Sequence, residues 1–179
     1  IRVIDTRTVG SPLATLVKQA AVWADEGQDA DRIESGVREM SVRARIYFLV
    51  STLEYLAKGG RIGGAAALLG NMLQIKPILT FHEGKVNQFE RERTQKRAQA
   101  RLIEIVLSQY PQATNGFLTI MHADVPQEGK ALAEELRSRL SLTEVPLYDV
   151  PPAIVTHGGP GILGVGFFIE RPDSGDTIG

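Results

Sequence analysis

Short apolar runs alternate with helical stripes along this chain, and that alternation restricts its fold more than any other feature. The runs "IRVID" (1–5), "RIYFLVS" (45–51), "GFLTIMHA" (116–123), "EVPLYDV" (144–150) and "GILGVGFFIE" (161–170) read as strands. Each is too short for a helix and rich in β-branched or aromatic residues. Between them lie stripes at helical spacing. Leu16, Val17, Ala20, Ala21 and Ala24 mark one helix, beginning near Leu13 and stopped by Gly27, and Ile33, Val37 and Met40 mark a second. Thr94 can cap a helix carrying Ala98, Leu102, Ile105 and Val106, and Asp124-Val125-Pro126 opens one whose core side is Leu132, Leu136 and Leu140. "KPILTFHEGKVNQFE" reads as a hairpin with Gly84 in its turn. The expected architecture is therefore α/β, mixed rather than purely parallel in its second part. Ser51 and Glu54 form a capping-box pattern for a helix ending at Lys58, which suggests a boundary near residue 51.

One stretch does not fit an ordinary surface helix. "LEYLAKGGRIGGAAALLGNMLQIKPIL" (53–79) sets Arg61 between two glycine pairs and follows it with an almost uncharged run. Glycines on both sides let backbone approach closely and leave the guanidinium open to a carboxylate or phosphate. The alternative is a helix C-cap followed by a solvated arginine. No Gly-Lys-Ser/Thr follows Arg61, and this stretch does not form a Gly-x-Gly-x-x-Gly pattern, so it is neither a Walker loop nor a dinucleotide fingerprint.

"THGGPG" (156–161) is expected to be a glycine-rich loop between strands. There the His157 ring and the backbone N–H groups around Thr156 and Gly158 can form a small anion-binding nest, or else a tight turn with an incidental histidine. "RERT" (91–94), with Lys96 and Arg97 beyond it, places positive charge at a helix start, against the helix dipole. Arg93 there is either part of a solvated face or a contact for an acidic partner. His82 and His122 have no partner at metal-ligand spacing and read as structural, and no Ser-His-Asp set or HExxH is present.

A net charge of -1 gives no electrostatic reason to expect nucleic acid or an anionic membrane surface. With no cysteine in the chain, disulfides and cysteine-ligated zinc are excluded, which fits a reducing cytoplasm. No run reaches the roughly 18 apolar residues needed to span a bilayer, so stable membrane insertion is not expected. The chain opens on "IRVID" without methionine, which reads as the middle of a fold with an upstream piece missing.

Taken together, "VIDT" (3–6), "STLEYLAKGGRIGGAAALLGNMLQIKPIL" (51–79), "GKV" with "RERT", "HAD" (122–124) and "THGGPGILGVGFF" (156–168) resemble the DegV family of bacterial fatty-acid-binding proteins. The resemblance covers nearly the whole chain. It implies two α/β domains enclosing a fatty acid in a tunnel, the first with a largely parallel sheet and the second with a mixed or antiparallel one. Residues 1–50 would be the tail of the first domain and 51–179 the second, with an upstream stretch on the order of a hundred residues absent.

The resemblance further implies a carrier rather than an enzyme, cytoplasmic, without a cofactor, whose ligand is a long-chain fatty acid and whose partner is a fatty-acid kinase. His157 matches the histidine that hydrogen-bonds the head group, Arg61 the arginine near the head-group side, and Arg93 an arginine at the mouth that supports kinase engagement. Thr156 and Gly158 would flank the head group. Ile62, Leu68, Leu69, Met72, Leu73 and Ile75 are candidates for acyl lining, although core packing explains them as well. The competing expectation is an enzyme acting on a small phosphorylated or carboxylated substrate, with Arg61 as anion clamp and His157 as acid/base.

Overall fold

The computed structural model describes residues 1–71, 75–112 and 115–170. A six-stranded sheet runs through its centre in the order β3-β2-β1-β6-β4-β5. The strands are β1 (Ala44–Leu49), β2 (Lys76–His82), β3 (Lys85–Glu92), β4 (Thr119–His122), β5 (Leu147–Asp149) and β6 (Leu163–Phe168). All neighbours are antiparallel except β4 and β5, so the sheet is mixed, as the sequence suggests. β1 hydrogen-bonds β2 on one side and β6 on the other. The sheet therefore crosses the boundary read near residue 51, because residues 44–49 belong to the same ladder as the strands that follow.

The side-chain period of two separates the faces of the sheet. Tyr47 and Leu49 of β1, with Leu163, Val165 and Phe167 of β6, pack under α4 (Gln95–Gln109) and α5 (Pro126–Arg139). Ile46, Phe48 and Val50 face the other way, toward α3 (Glu54–Lys58), the 3-10 helix Gly63–Asn71 and α6 (Pro152–Gly158). The α4 stripe of Ala98, Leu102, Ile105 and Val106 is fully inside. Thr94 caps this helix by accepting the Arg97 N–H at 3.2 Å. Leu16, Val37, Met40 and Phe168 form a third, smaller cluster beneath α1 (Gly10–Asp25) and α2 (Ala30–Arg43).

Several expectations differ from the structure, each for a physical reason. "IRVID" is not a strand, because residues 1–5 pair with neither edge of the sheet. Instead Arg2 reaches Asp31 and Glu34 on α2, and Asp5 accepts the Arg7 N–H in a local turn. α1 begins at Gly10 and buries Leu16, while Leu13, Val17, Ala21 and Ala24 stay exposed. Its N-terminal end lies close on β6, since a Cβ on Gly166 would stand only 2.6 Å from the Ser11 hydroxyl. The capping box at Ser51 does not form: α3 starts at Glu54, whose N–H is taken by the Thr52 hydroxyl at 3.2 Å.

The expected loop after residue 155 is also partly helical, since α6 takes in Thr156, His157 and Gly158. Pro152 sits in its first turn, where no N–H is needed, and Gly159 ends it at φ +78. That proline-first, glycine-last pattern was available in the sequence. No helix among the described residues is long and apolar enough to cross a membrane.

Candidate functional site

A cavity of about 720 Å³ lies on the α3/α6 side of the sheet. Its floor comes from three adjacent strands. Met121 of β4 and Phe48 of β1 both stand opposite Gly164 of β6, and all three line the cavity. Phe48 stacks on Phe81 of β2 with ring centroids 5.6 Å apart. Leu56 of α3 and Ile154 of α6 close the walls.

Among the described lining residues, only Arg61, Lys85 and His157 carry polar side-chain atoms. All three are basic types, and among the described residues no acidic, hydroxyl or amide side chain joins them. Such a lining suits a long apolar molecule with an anionic end, because an anion in an apolar cavity must find a paired charge or donor.

Three of the four glycines of "KGGRIGG" answer to close approaches. A Cβ on Gly59 would collide with the imidazole Nδ1 of His157, so this glycine makes room for that ring as α3 packs against α6, whereas a Cβ on Gly60 would meet nothing within 4 Å. A Cβ on Gly63 or Gly64 would collide with β3, at the Val86 carbonyl oxygen and the Asn87 side-chain oxygen respectively. The second pair thus lets the 3-10 helix lie directly on the hairpin. Arg61, between these anchor points, lines the cavity and donates to the Gly59 carbonyl at 2.7 Å.

His157 is half-buried in the last turn of α6, and its Nδ1 is enclosed with no hydrogen-bond partner among the described residues. Gly158 is buried and also lines the cavity. The expected anion nest of loop N–H groups is not what surrounds His157. A helix C-terminus presents carbonyls, and the Gly159 N–H is already bonded to Val155. Thr156 is exposed and does not line the cavity, its hydroxyl donating to the Pro152 carbonyl one turn back at 2.9 Å.

The apolar run after Arg61 contributes less to the cavity than its composition suggests. Helical period explains the difference: with about three residues per turn, Ala65 and Leu68 face the core while Leu69 turns outward. Ala65 is buried, Leu68 is buried, and Leu69 is 43% exposed. Ile62 and Ile75 pack against the core cluster rather than lining the cavity. Met72 and Leu73 lie outside the described residues. The acyl-facing candidates that sequence reasoning missed are Phe48, Phe81 and Met121 on strands, with Ile154 on α6. Alternation along β1 was the signal for Phe48, and Lys85 could have been noticed as a cation directly after the turn glycine.

Arg93 is exposed in the bend between β3 and α4 and is not part of the cavity lining. Two nearby acids, Glu90 and Glu104, are engaged elsewhere. Glu90 receives two hydrogen bonds from Arg101, at 2.7 and 2.9 Å, which hold its carboxyl below the usual carboxylate range, and Glu104 also pairs with Arg101. Arg91, Arg93, Lys96 and Arg97 are all exposed beside this pairing. His82 is exposed at the end of β2, and His122 is buried with its Nε2 3.6 Å from Asp149. Among the described residues no cluster fit to hold a metal ion occurs.

A family model described as "Uncharacterised protein, DegV family" matches residues 1–170. A DegV domain-containing protein of Clostridium acetobutylicum is 34% identical over 171 residues, which cover 96% of this chain and 60% of that one. Among solved structures, the fatty acid binding DegV family protein from Streptococcus agalactiae superposes with a TM-score of 0.85 at 30% identity, covering 95% of this chain and 60% of the other. A DegV family protein from Thermus thermophilus, described by its fatty acid binding, gives 0.84 at 28% identity, covering 94% and 61%. The chain thus spans about 60% of the length of the relatives it matches. With the match running from residue 1 to residue 170, this chain belongs to the DegV family.

Proposed function

We propose that this chain is the greater part of a fatty-acid carrier, not itself an enzyme, that shelters a long acyl tail and presents its carboxyl group to a cytoplasmic fatty-acid kinase. The observation that carries this reading is the lining of the 720 Å³ cavity, apolar among the described residues except for Arg61, Lys85 and His157. A tail of about fifteen methylenes gains roughly 12 kcal/mol gross on leaving water, at about 0.8 kcal/mol each. Ordering and desolvation consume much of that, so net affinity is well below the gross figure. The carboxylate belongs beside the basic groups, and the imidazole of His157, which lines the cavity, is the first choice for its hydrogen bond. No carboxylate or hydroxyl among the described lining residues stands ready to share acid/base work with His157, which favours a carrier over the enzyme reading.

The intact protein purified from a bacterial host is expected to carry a long-chain fatty acid, detected by mass spectrometry after denaturing extraction. His157→Ala should weaken binding of that acid by about tenfold or more, the loss of a hydrogen bond to a charged group. Repeatedly empty wild-type protein would overturn the carrier reading.

Arg93→Ala separates the second half of the proposal. Because Arg93 lies outside the cavity lining, acid binding should stay within about twofold while acyl-phosphate formation with the kinase falls by about tenfold. A variant that lost lipid and kept kinase turnover would reverse the assignment.

A further inference from the structure

The strand "LGVGFF" alternates bulky and absent side chains, and its two glycines have different reasons to be there. Leu163, Val165 and Phe167 fill the α4/α5 core, while Gly164 and Gly166 face the opposite side. Gly166 is required by packing, since a Cβ there would stand 2.6 Å from the Ser11 hydroxyl and 2.8 Å from Pro12. Gly164 is not. A Cβ at Gly164 would meet Phe48 Cβ at 3.4 Å, the Tyr47 carbonyl at 3.7 Å and Met121 Cε at 3.8 Å, which are ordinary contacts. Its backbone is also an extended strand that any residue can adopt. A glycine inside a strand weakens it, and one with no close neighbour in its own chain leaves room for a ligand to come close.

Phe48 and Met121 stand directly across from Gly164 on the neighbouring strands, so the missing side chain leaves a trough between two large ones in the cavity floor. We propose that Gly164 is a specificity-determining residue: an acyl chain crosses the sheet through this trough, and the bore left by the glycine admits long chains. This rests on the fatty-acid reading above. With the carboxylate held beside Arg61 and His157 and the tail lying along the floor, a side chain at position 164 would intrude on the far part of a long chain while leaving room for a short one.

The test measures binding of decanoic, palmitic and stearic acids to the intact wild-type protein and to Gly164→Ala and Gly164→Val, together with thermal unfolding of each. Valine is at home in a strand, so Gly164→Val is expected to unfold no earlier than wild type. Displacing about two methylenes of a long chain should weaken palmitic and stearic acid by about tenfold or more. Decanoic acid should change by less than about threefold, with Gly164→Ala intermediate. An unchanged chain-length profile in a folded Gly164→Val would overturn the proposal, and so would equal loss across all three acids. Loss of cooperative unfolding in that variant would also overturn it, since the glycine would then be a packing requirement. If the wild-type protein binds none of the acids, the fatty-acid reading fails and this inference fails with it, a result distinct from the others.

Discussion

Gly63→Ala is expected to destabilise the protein by about 3 kcal/mol, lowering Tm by roughly 10 °C. Gly63 holds φ +50, a left-handed conformation that costs a residue with a Cβ about 1–2 kcal/mol. The added carbon would also collide with the carbonyl oxygen of Val86 in β3, a backbone atom that cannot swing aside like a side chain. The 3-10 helix would have to lift off the hairpin, disturbing the contacts of Ala65 and Leu68 in the core beneath. Gly60→Ala supplies the comparison. It shares the positive φ, at +68, but a Cβ there meets nothing within 4 Å, so only the strain of about 1 kcal/mol is expected. Thermal unfolding of the two variants side by side separates collision from strain. Equal stability of the two would mean that the glycine pair does not serve the close approach of helix and hairpin.

Phe167→Ala carries the other large effect, a loss of about 3–5 kcal/mol measured by urea denaturation. Its ring is completely buried in the core between the sheet and the α4/α5 layer, with the Tyr47 and Tyr110 rings each 6.2 Å away. β6 is an interior strand held on both sides by β1 and β4, so the layers cannot easily collapse into the space vacated. Phe89, also beside Tyr47 at 4.7 Å, is 38% exposed on edge strand β3. Phe89→Ala should therefore cost well under half as much, since less area is lost from the interior and water can fill the space. If the two phenylalanine variants unfold at the same urea concentration, the interior placed around Phe167 is wrong.

Much of the candidate site was legible as residues but not as a place. Arg61, His157 and Gly158 stand out in the sequence, and all three line one cavity. Thr156 sits beside them in the chain, yet the turn of α6 sends its hydroxyl back to Pro152. Leu69 belongs to the same apolar run as Leu68, yet a tighter helical period turns it outward. Lys85 and the aromatic floor were missed because the alternation of a strand and a cation after a turn show which side chains share a face, not which molecule that face will meet.

The sequence by itself determined most local elements: the strands from residue 44 onward by their β-branched runs, the α4 stripe and its Thr94 cap, the hairpin turn at Gly84, and the mixed α/β class. Those are properties of neighbours in the chain, fixed by side-chain period and by the dihedral preferences of glycine and proline. Only the tertiary structure decided why "KGGRIGG" spaces its glycines as it does, since Gly59 makes room for His157 and Gly63 for Val86. It alone also decided that Met121, Gly164 and Phe48 form one trough. Contacts between positions so far apart along the chain follow from the order in which strands join the sheet, and no local periodicity carries that information.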